Sequence, residues 1–218
     1  MKSLINRHKI AWSDKFFTLS AIIGFSLFTS SLFVNYGAIK YAAFKAGNSV
    51  PDILLENLPV VNTDIIFSEG AILFVIFIAI LLVLEPKTIP FTLKSVALFI
   101  FIRSVFVVMT HLGPIPDRII SDLDIFRYIS SGADLFFSGH TGLPFLMALL
   151  FWDNKYLRLV FIIFSIVAAI AVILGHLHYT IDVFSAFFIT YGIYHIAQKA
   201  FTKDYKLFAH GVEVNNPI

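Results

Sequence analysis

His178 and Asp182 stand four residues apart in "HYTIDV", and His140 lies 38 residues upstream of His178 in "SGADLFFSGHTGLPF" (131–145). On a helix of about 3.6 residues per turn, that spacing of four puts an imidazole and a carboxylate on one face. A carboxylate behind an imidazole selects its tautomer and supports the positive charge it acquires. The opposite ring nitrogen is then free to act as nucleophile or base. A second histidine facing the first supplies a general acid and base. The same residues admit a different chemistry, in which His140, His176, His178 and Asp182 ligate zinc. A histidine at a membrane boundary is ordinarily an interfacial residue, but ionisable groups inside membrane segments are costly and default to function. Spacing alone leaves a catalytic and a metal site both open. "SGHTG" adds Ser138 and Gly139 ahead of His140 at a helix start, where free N–H groups and the dipole suit a phosphate. Gly139 and Gly142 allow close backbone approach, and Ser138 also fits a plain N-cap.

The elements that must position these residues are read from composition. The chain has 218 residues, 58% hydrophobic and 14% charged, with a mean hydropathy of +0.86. Soluble domains are about 45–50% apolar and about 25% charged. This is therefore an all-α, polytopic membrane protein. Without cysteine there is neither a disulfide framework nor thiolate chemistry, and a net charge of +2 gives no indication of a nucleic-acid partner. Six apolar runs approach the roughly 20 residues that a spanning helix needs. They cover about 16–39, 65–84, 94–112, 134–152, 157–175 and 179–198. Breakers such as "AGNSVPD", "EPKTIP", "GPIPD" and "WDNK" separate them. Residues 1–218 are expected to form one six-helix membrane domain, and the first run is long enough to span rather than to be cleaved.

Lys and Arg concentrate on cytoplasmic loops. With the N-terminus cytoplasmic, they fall 11 to 4 toward that side, with Arg103 inside the third run. Both termini are then cytoplasmic, and the segment 176–178 is extracytoplasmic. The fourth and fifth runs form a hairpin across the membrane. The starts of the fourth and sixth runs therefore share a face, so His140 and His178 can meet.

Taken together, these residues resemble the sphingomyelin synthase family, a branch of the type-2 phosphatidic acid phosphatase superfamily. "DLFFSGHT" (134–141) is similar to its third motif and "HYTIDV" (178–183) to its fourth. "RSVFVVMTHLGPIP" (103–116) is similar to its second, and "FSEG" (67–70) resembles a Ser-Glu of the preceding helix. The resemblance implies a metal-independent, two-step mechanism with no cofactor. His178 would attack the lipid phosphorus, oriented by Asp182, while His140 protonates the leaving alcohol. The head-group-phosphoryl enzyme would then pass its group to an acceptor deprotonated by His140. The acceptor is ceramide in the synthases, a different lipid alcohol such as diacylglycerol elsewhere, or water in a phosphatase or phospholipase C. The candidate catalytic residues are thus His140, His178 and Asp182. The candidate substrate-binding residues are Arg103, Asp134, Ser138, Gly139, His176, Glu69 and His111.

The sequence departs from the family pattern at three places. Leu177 stands where a Glu usually precedes the second His, Ala133 where a Cys is usual, and Gly113–Pro114 where one Pro is expected. These bear on the substrate more than on the chemistry. The wider superfamily's Lys…Arg-Pro motif is missing, and Val172 occupies the position of a further Arg. Those cations would hold a phosphomonoester dianion, so a singly charged phosphodiester is the better fit. Arg103 is left for the phosphate, or for an ion pair with Glu69.

Four functions follow for testing: a lipid phosphotransferase, a hydrolase with the same site, a zinc hydrolase, and a transporter. The last ranks lowest, because the polar residues cluster on one face. His195 is expected to be interfacial. The amphipathic stretch 117–127 is a connector or a gate beside the site.

Overall fold

The computed structural model describes residues 2–116, 132 and 134–211, all helix, turn or loop, with no strand among them. The protein is an all-α polytopic membrane protein. Among the described residues, five helical stretches are long and apolar enough to cross a bilayer: Lys15–Lys45, Ile65–Leu84, Pro86–Met109, Lys155–Leu174 and Thr180–Ala200. The helices are α1 (Lys2–Ser13), α2 (Lys15–Lys45), α3 (Gly70–Leu84), α4 (Ile89–Met109), α5 (Gly139–Leu150), α6 (Lys155–Leu174), α7 (Thr180–Ala200) and α8 (Thr202–His210).

Three of the expected boundaries move. The first helix runs to Lys45 rather than to about residue 39, and Asp14 starts it by accepting the Phe17 amide at 2.6 Å. The third span begins well before residue 94. Its two prolines sit in first turns, Pro86 in a short 3-10 turn and Pro90 in α4, where a missing N–H costs nothing. Lys94 is therefore a buried helical residue, not a loop charge. The fourth run, expected over 134–152, is helical only from Gly139 to Leu150. At about 1.5 Å per residue α5 is about 18 Å long, shorter than a membrane core. Residues 134–138 are non-helical, and backbone of that kind is tolerated at membrane depth only where protein satisfies it. Helices α1 and α8 fall outside the six expected runs.

Lipid is as apolar as leucine, so helices in it associate through close packing rather than through hydrophobic exclusion of water. The α2–α4 pair follows that rule. Small residues (Ser20, Ala21, Gly24, Ser31, Ala38 and Ala42) line the buried stripe of α2, and phenylalanines 25, 33 and 44 point outward. Helix α5 packs between α6 and α7 around Phe99, Phe137, Leu146, Met147 and Phe161. The starts of α5 and α7, and the ends of α4 and α6, lie on one face of the bundle. The opposite face holds α1, the α3–α4 and α5–α6 turns, and α8.

Candidate active site

Helix α6 ends in a hydrogen-bonded cap that delivers His178. The Leu177 amide donates to Val172 O at 2.9 Å, and the His176 amide to Ile173 O at 3.0 Å. This is the pattern of a Schellman motif, whose penultimate position is usually glycine. Here His176 holds it, at φ +52°. Left-handed backbone costs a non-glycine residue about 1–2 kcal/mol. Buried outliers of this kind collect at functional sites, and His176 is buried with no partner for Nε2 among the described residues.

His178 lies two residues before α7 rather than within it, and Tyr179 is the N-cap. The expected contact to Asp182 nonetheless forms, by helix capping rather than along a helix face. One Asp182 oxygen, Oδ2, accepts the Tyr179 amide at 3.0 Å and lies 3.4 Å from His178 Nδ1. The other, Oδ1, is buried with no partner among the described residues. His178 and Asp182 are both buried. With Nδ1 turned to the carboxylate, Nε2 is the nitrogen available for chemistry.

The two histidine segments are joined directly, since the Ser138 amide donates to Asp182 O at 3.0 Å. Ser138 caps α5 through the Thr141 amide at 3.4 Å. His140, in the first turn of α5, has His178, Arg103 and Asp134 within electrostatic reach. Phe67 covers its ring at 4.0 Å between centroids. Phe67 comes from a π-helical turn, Ile65–Glu69, a form that concentrates at functional sites.

Arg103 explains how the non-helical stretch ahead of α5 survives. Its Nε donates to Phe137 O at 2.8 Å, and Nη2 to Asp134 O at 2.6 Å and to Asp134 Oδ2 at 3.3 Å. Nη1 faces Asn35 Oδ1 at 3.4 Å. A fixed guanidinium fork thus satisfies the carbonyls that α5 leaves out of its ladder. The carboxylate that pairs with Arg103 is Asp134, not Glu69, which is exposed at the end of the π turn. A Cβ at Gly139 would lie 3.2 Å from Arg103 Nε, and one at Gly142 would lie 2.9 Å from Phe99 and Thr190. Both glycines of "SGHTG" therefore stand at close approaches, as expected.

The remaining candidates divide. His111 lies beyond the end of α4 with its ring exposed, and its carbonyl accepts the Gly47 amide at 2.9 Å. His195 is exposed toward the other end of α7, with Nδ1 3.1 Å from Gln198 Oε1, as an interfacial residue would be. No three His, Cys, Asp or Glu side chains converge as a metal site among the described residues, so the zinc grouping of His140, His176, His178 and Asp182 is not assembled. The stretch 117–127, Arg118 and Arg127 included, lies outside the described residues. Sequence reasoning passed over Asp52, Asn35 and the Lys94–Asp204 pair. Asn35 is a lone polar residue in an apolar helix, and Asp52 closes the polar stretch "AGNSVPD"; both signals point to a buried or capping role but name no partner.

These features describe a membrane bundle with a His–Asp pair, a second histidine and a buried arginine gathered at one face. Residues 132–199 match the family model described as PAP2 superfamily C-terminal. The match spans both histidine motifs and supports the type-2 phosphatidic acid phosphatase superfamily, and with it a membrane enzyme acting on phosphoesters. The description is of the superfamily and does not single out the sphingomyelin synthase branch. No curated protein and no solved structure matches the chain.

Proposed function

We propose that the protein is a lipid phosphotransferase that moves a phospho-head group from a membrane phospholipid to a lipid alcohol, ceramide or diacylglycerol. The observation that carries this reading is the buried His178–Asp182 pair, at 3.4 Å, tied through the Ser138 amide to the segment bearing His140. In the first step His178 Nε2 attacks phosphorus. The bond to the leaving alcohol breaks, and that oxygen takes a proton from the His140 imidazolium. In the second step the acceptor hydroxyl gives its proton to neutral His140 and attacks phosphorus. The P–N bond then breaks and His178 is restored. Asp182 holds Nδ1 throughout. Arg103 holds the "DLFFSGHT" segment in place, and its charge favours an anionic phosphodiester nearby. The Ser138 amide is taken by Asp182 O, so of the two residues it is Gly139 that offers a helix N-terminal amide to the same phosphate.

The same site hydrolyses its substrate when water takes the acceptor's place. Purified protein given a phospholipid, with and without ceramide or diacylglycerol, separates the two by mass spectrometry of the products. Transfer predicts a new phospholipid only when the alcohol is present. Released phosphorylated head group or phosphate, unchanged by the alcohol, would assign a hydrolase instead.

The charge distribution supports cytoplasmic termini and an extracytoplasmic site. Cysteines placed at Ser3 or Asn216 of this cysteine-free chain should resist an impermeant thiol reagent in intact cells, and their labelling would reverse the orientation.

A further inference from the structure

The segment between α2 and the π turn, residues 46–64, is long for a connection within a bundle. Loops beyond about 12–15 residues are usually functional or disordered. This one is bonded to the candidate site along its length. At its start, the Gly47 amide donates to His111 O at 2.9 Å, and the Gly113 amide donates back to Asn48 O at 3.1 Å. The two chains pass so closely that a Cβ on Gly113 would lie 2.4 Å from Gly47 O. At its end, the Val61 amide donates to Leu174 O at 2.8 Å and Thr63 Oγ1 to Ala171 O at 3.0 Å. Here a Cβ on Gly175 would lie 2.5 Å from Thr63 Oγ1.

Between these ends the segment grips the two residues that follow His178. Tyr179 OH accepts the Val50 amide at 3.1 Å and donates to Gly113 O at 2.9 Å. The Asp52 carboxylate accepts the Thr180 amide at 2.7 Å and the Thr180 hydroxyl at 2.6 Å. It also closes its own turn by accepting the Leu54 amide at 3.0 Å. Asp52 therefore supplies from a distant segment the anionic cap that Tyr179, as N-cap, does not provide for Thr180. Three residues past the segment, Phe67 lies against His140.

We propose that residues 46–67 form a positioning strap that holds His178 and His140 in register, with Asp52 and Tyr179 as its positioning residues. This rests on the phosphotransfer reading above. Asp52 and Tyr179 act through the turn and not on the substrate, and Phe67 is the strap's contact with a reacting side chain. The strap fixes the turn from which His178 projects and packs the ring of His140. Small displacements at a reacting group cost rate out of proportion to stability, about 10²-fold for 1 Å.

The test uses the full-length protein in detergent and a nitrophenyl phosphodiester. It follows nitrophenol release and the mass of the peptide containing His178. Asp52→Ala and Thr180→Val should each lower kcat about ten- to hundredfold, with KM within about twofold. Thr180→Ser, which keeps the hydroxyl, should retain activity, and Tyr179→Phe should behave as Thr180→Val does. Asn154→Ala is the control for stability alone. Asn154 caps α6 on the opposite face, accepting the Tyr156 and Leu157 amides at 3.1 Å. Its loss should cost similar thermal stability and leave kcat per folded molecule unchanged. The proposal is overturned if the wild-type protein forms the His178 adduct and Asp52→Ala forms it just as fast. It is also overturned if Asn154→Ala loses as much kcat as Asp52→Ala. A wild-type protein that forms no His178 adduct removes the phosphotransfer reading itself, and the strap's role with it.

Discussion

The bundle buries two clusters of charge at opposite faces, and they are built on different terms. At the face of α8, Lys94 Nζ donates to Asp204 Oδ2 at 2.7 Å and to Ser20, and Ser20 also bonds Asp204. Phe201 lies under the ammonium at 5.6 Å. Each charged group of that cluster meets a partner, and α2, α4 and α8 are pinned together. At the other face the His178–Asp182 contact is longer, at 3.4 Å, and Asp182 Oδ1 and His176 Nε2 have no partner among the described residues. The hydroxyls of Thr92, Ser95 and Thr190 share that state, but they are neutral and free to rotate. An unmet carboxylate oxygen or buried imidazole is a larger debt. The first cluster ties three helices together, whereas the second lies beside the left-handed turn at His176 and the segment bearing His140.

That contrast breaks first at the histidines. His178→Ala should abolish the covalent adduct and all turnover. His140→Ala should lose about 10²–10⁴-fold on natural substrates, the usual worth of general acid–base catalysis. With a nitrophenol leaving group, which needs little protonation, His140→Ala should recover part of its first step and accumulate the His178 adduct. Asp182→Asn should fall between them. Burst kinetics with mass spectrometry of the His178 peptide decide, and an adduct on His140 would exchange the two roles.

The Lys94–Asp204 cluster should respond the opposite way. Lys94→Ala leaves Asp204 buried without its counter-charge, which costs about 3–5 kcal/mol of stability. Replacing the pair together, Lys94→Met with Asp204→Leu, should restore much of that loss. Neither change should move kcat per folded molecule. Thermal melts alongside turnover check this, and a kcat that fell with the pair intact in neither variant but stability unchanged would make the cluster part of the site.

The smallest effect sharpens the comparison at the strap. Burial alone would raise the Asp52 carboxyl, but hydrogen bonds from the Thr180 side chain and amide and from the Leu55 and Leu54 amides outweigh it and hold it below the usual carboxylate range. Over that interval the unfolded chain binds the extra proton. The stabilisation from Asp52 is therefore fully present above the unfolded carboxyl value and is lost as pH falls through the folded one. Acid melts of wild type and Asp52→Asn should differ at neutral pH and converge below the carboxylate range. A gap that persisted in acid would mean that the carboxylate's charge is not what stabilises α7.

Much of this was legible in the one-dimensional chain. Apolar runs of about 20 residues imply membrane helices, because a bilayer requires every backbone group to pair internally and a barrel strand needs only about half that length. Reading the fourth and fifth runs as a hairpin put His140 and His178 on one face, and their segments do meet through the Ser138 amide and Asp182 O, although α5 is shorter than a full span. The spacing of His178 and Asp182 implied a contact, although its cause is a helix cap rather than a helix face. Tertiary structure alone decided the rest. Arg103 pairs with Asp134 rather than Glu69 because residues 134–138 are not helical and leave carbonyls that only a fork-shaped donor can meet. Lys94 meets Asp204, 110 residues away, and Asp52 meets Thr180, 128 residues away. Periodicity carries no information on such pairs. Each partner lies on an element far away in the chain, and the pairing is set by where separately folded segments come to rest. Local spacing reports local geometry, and satisfying a buried charge is a property of the whole bundle.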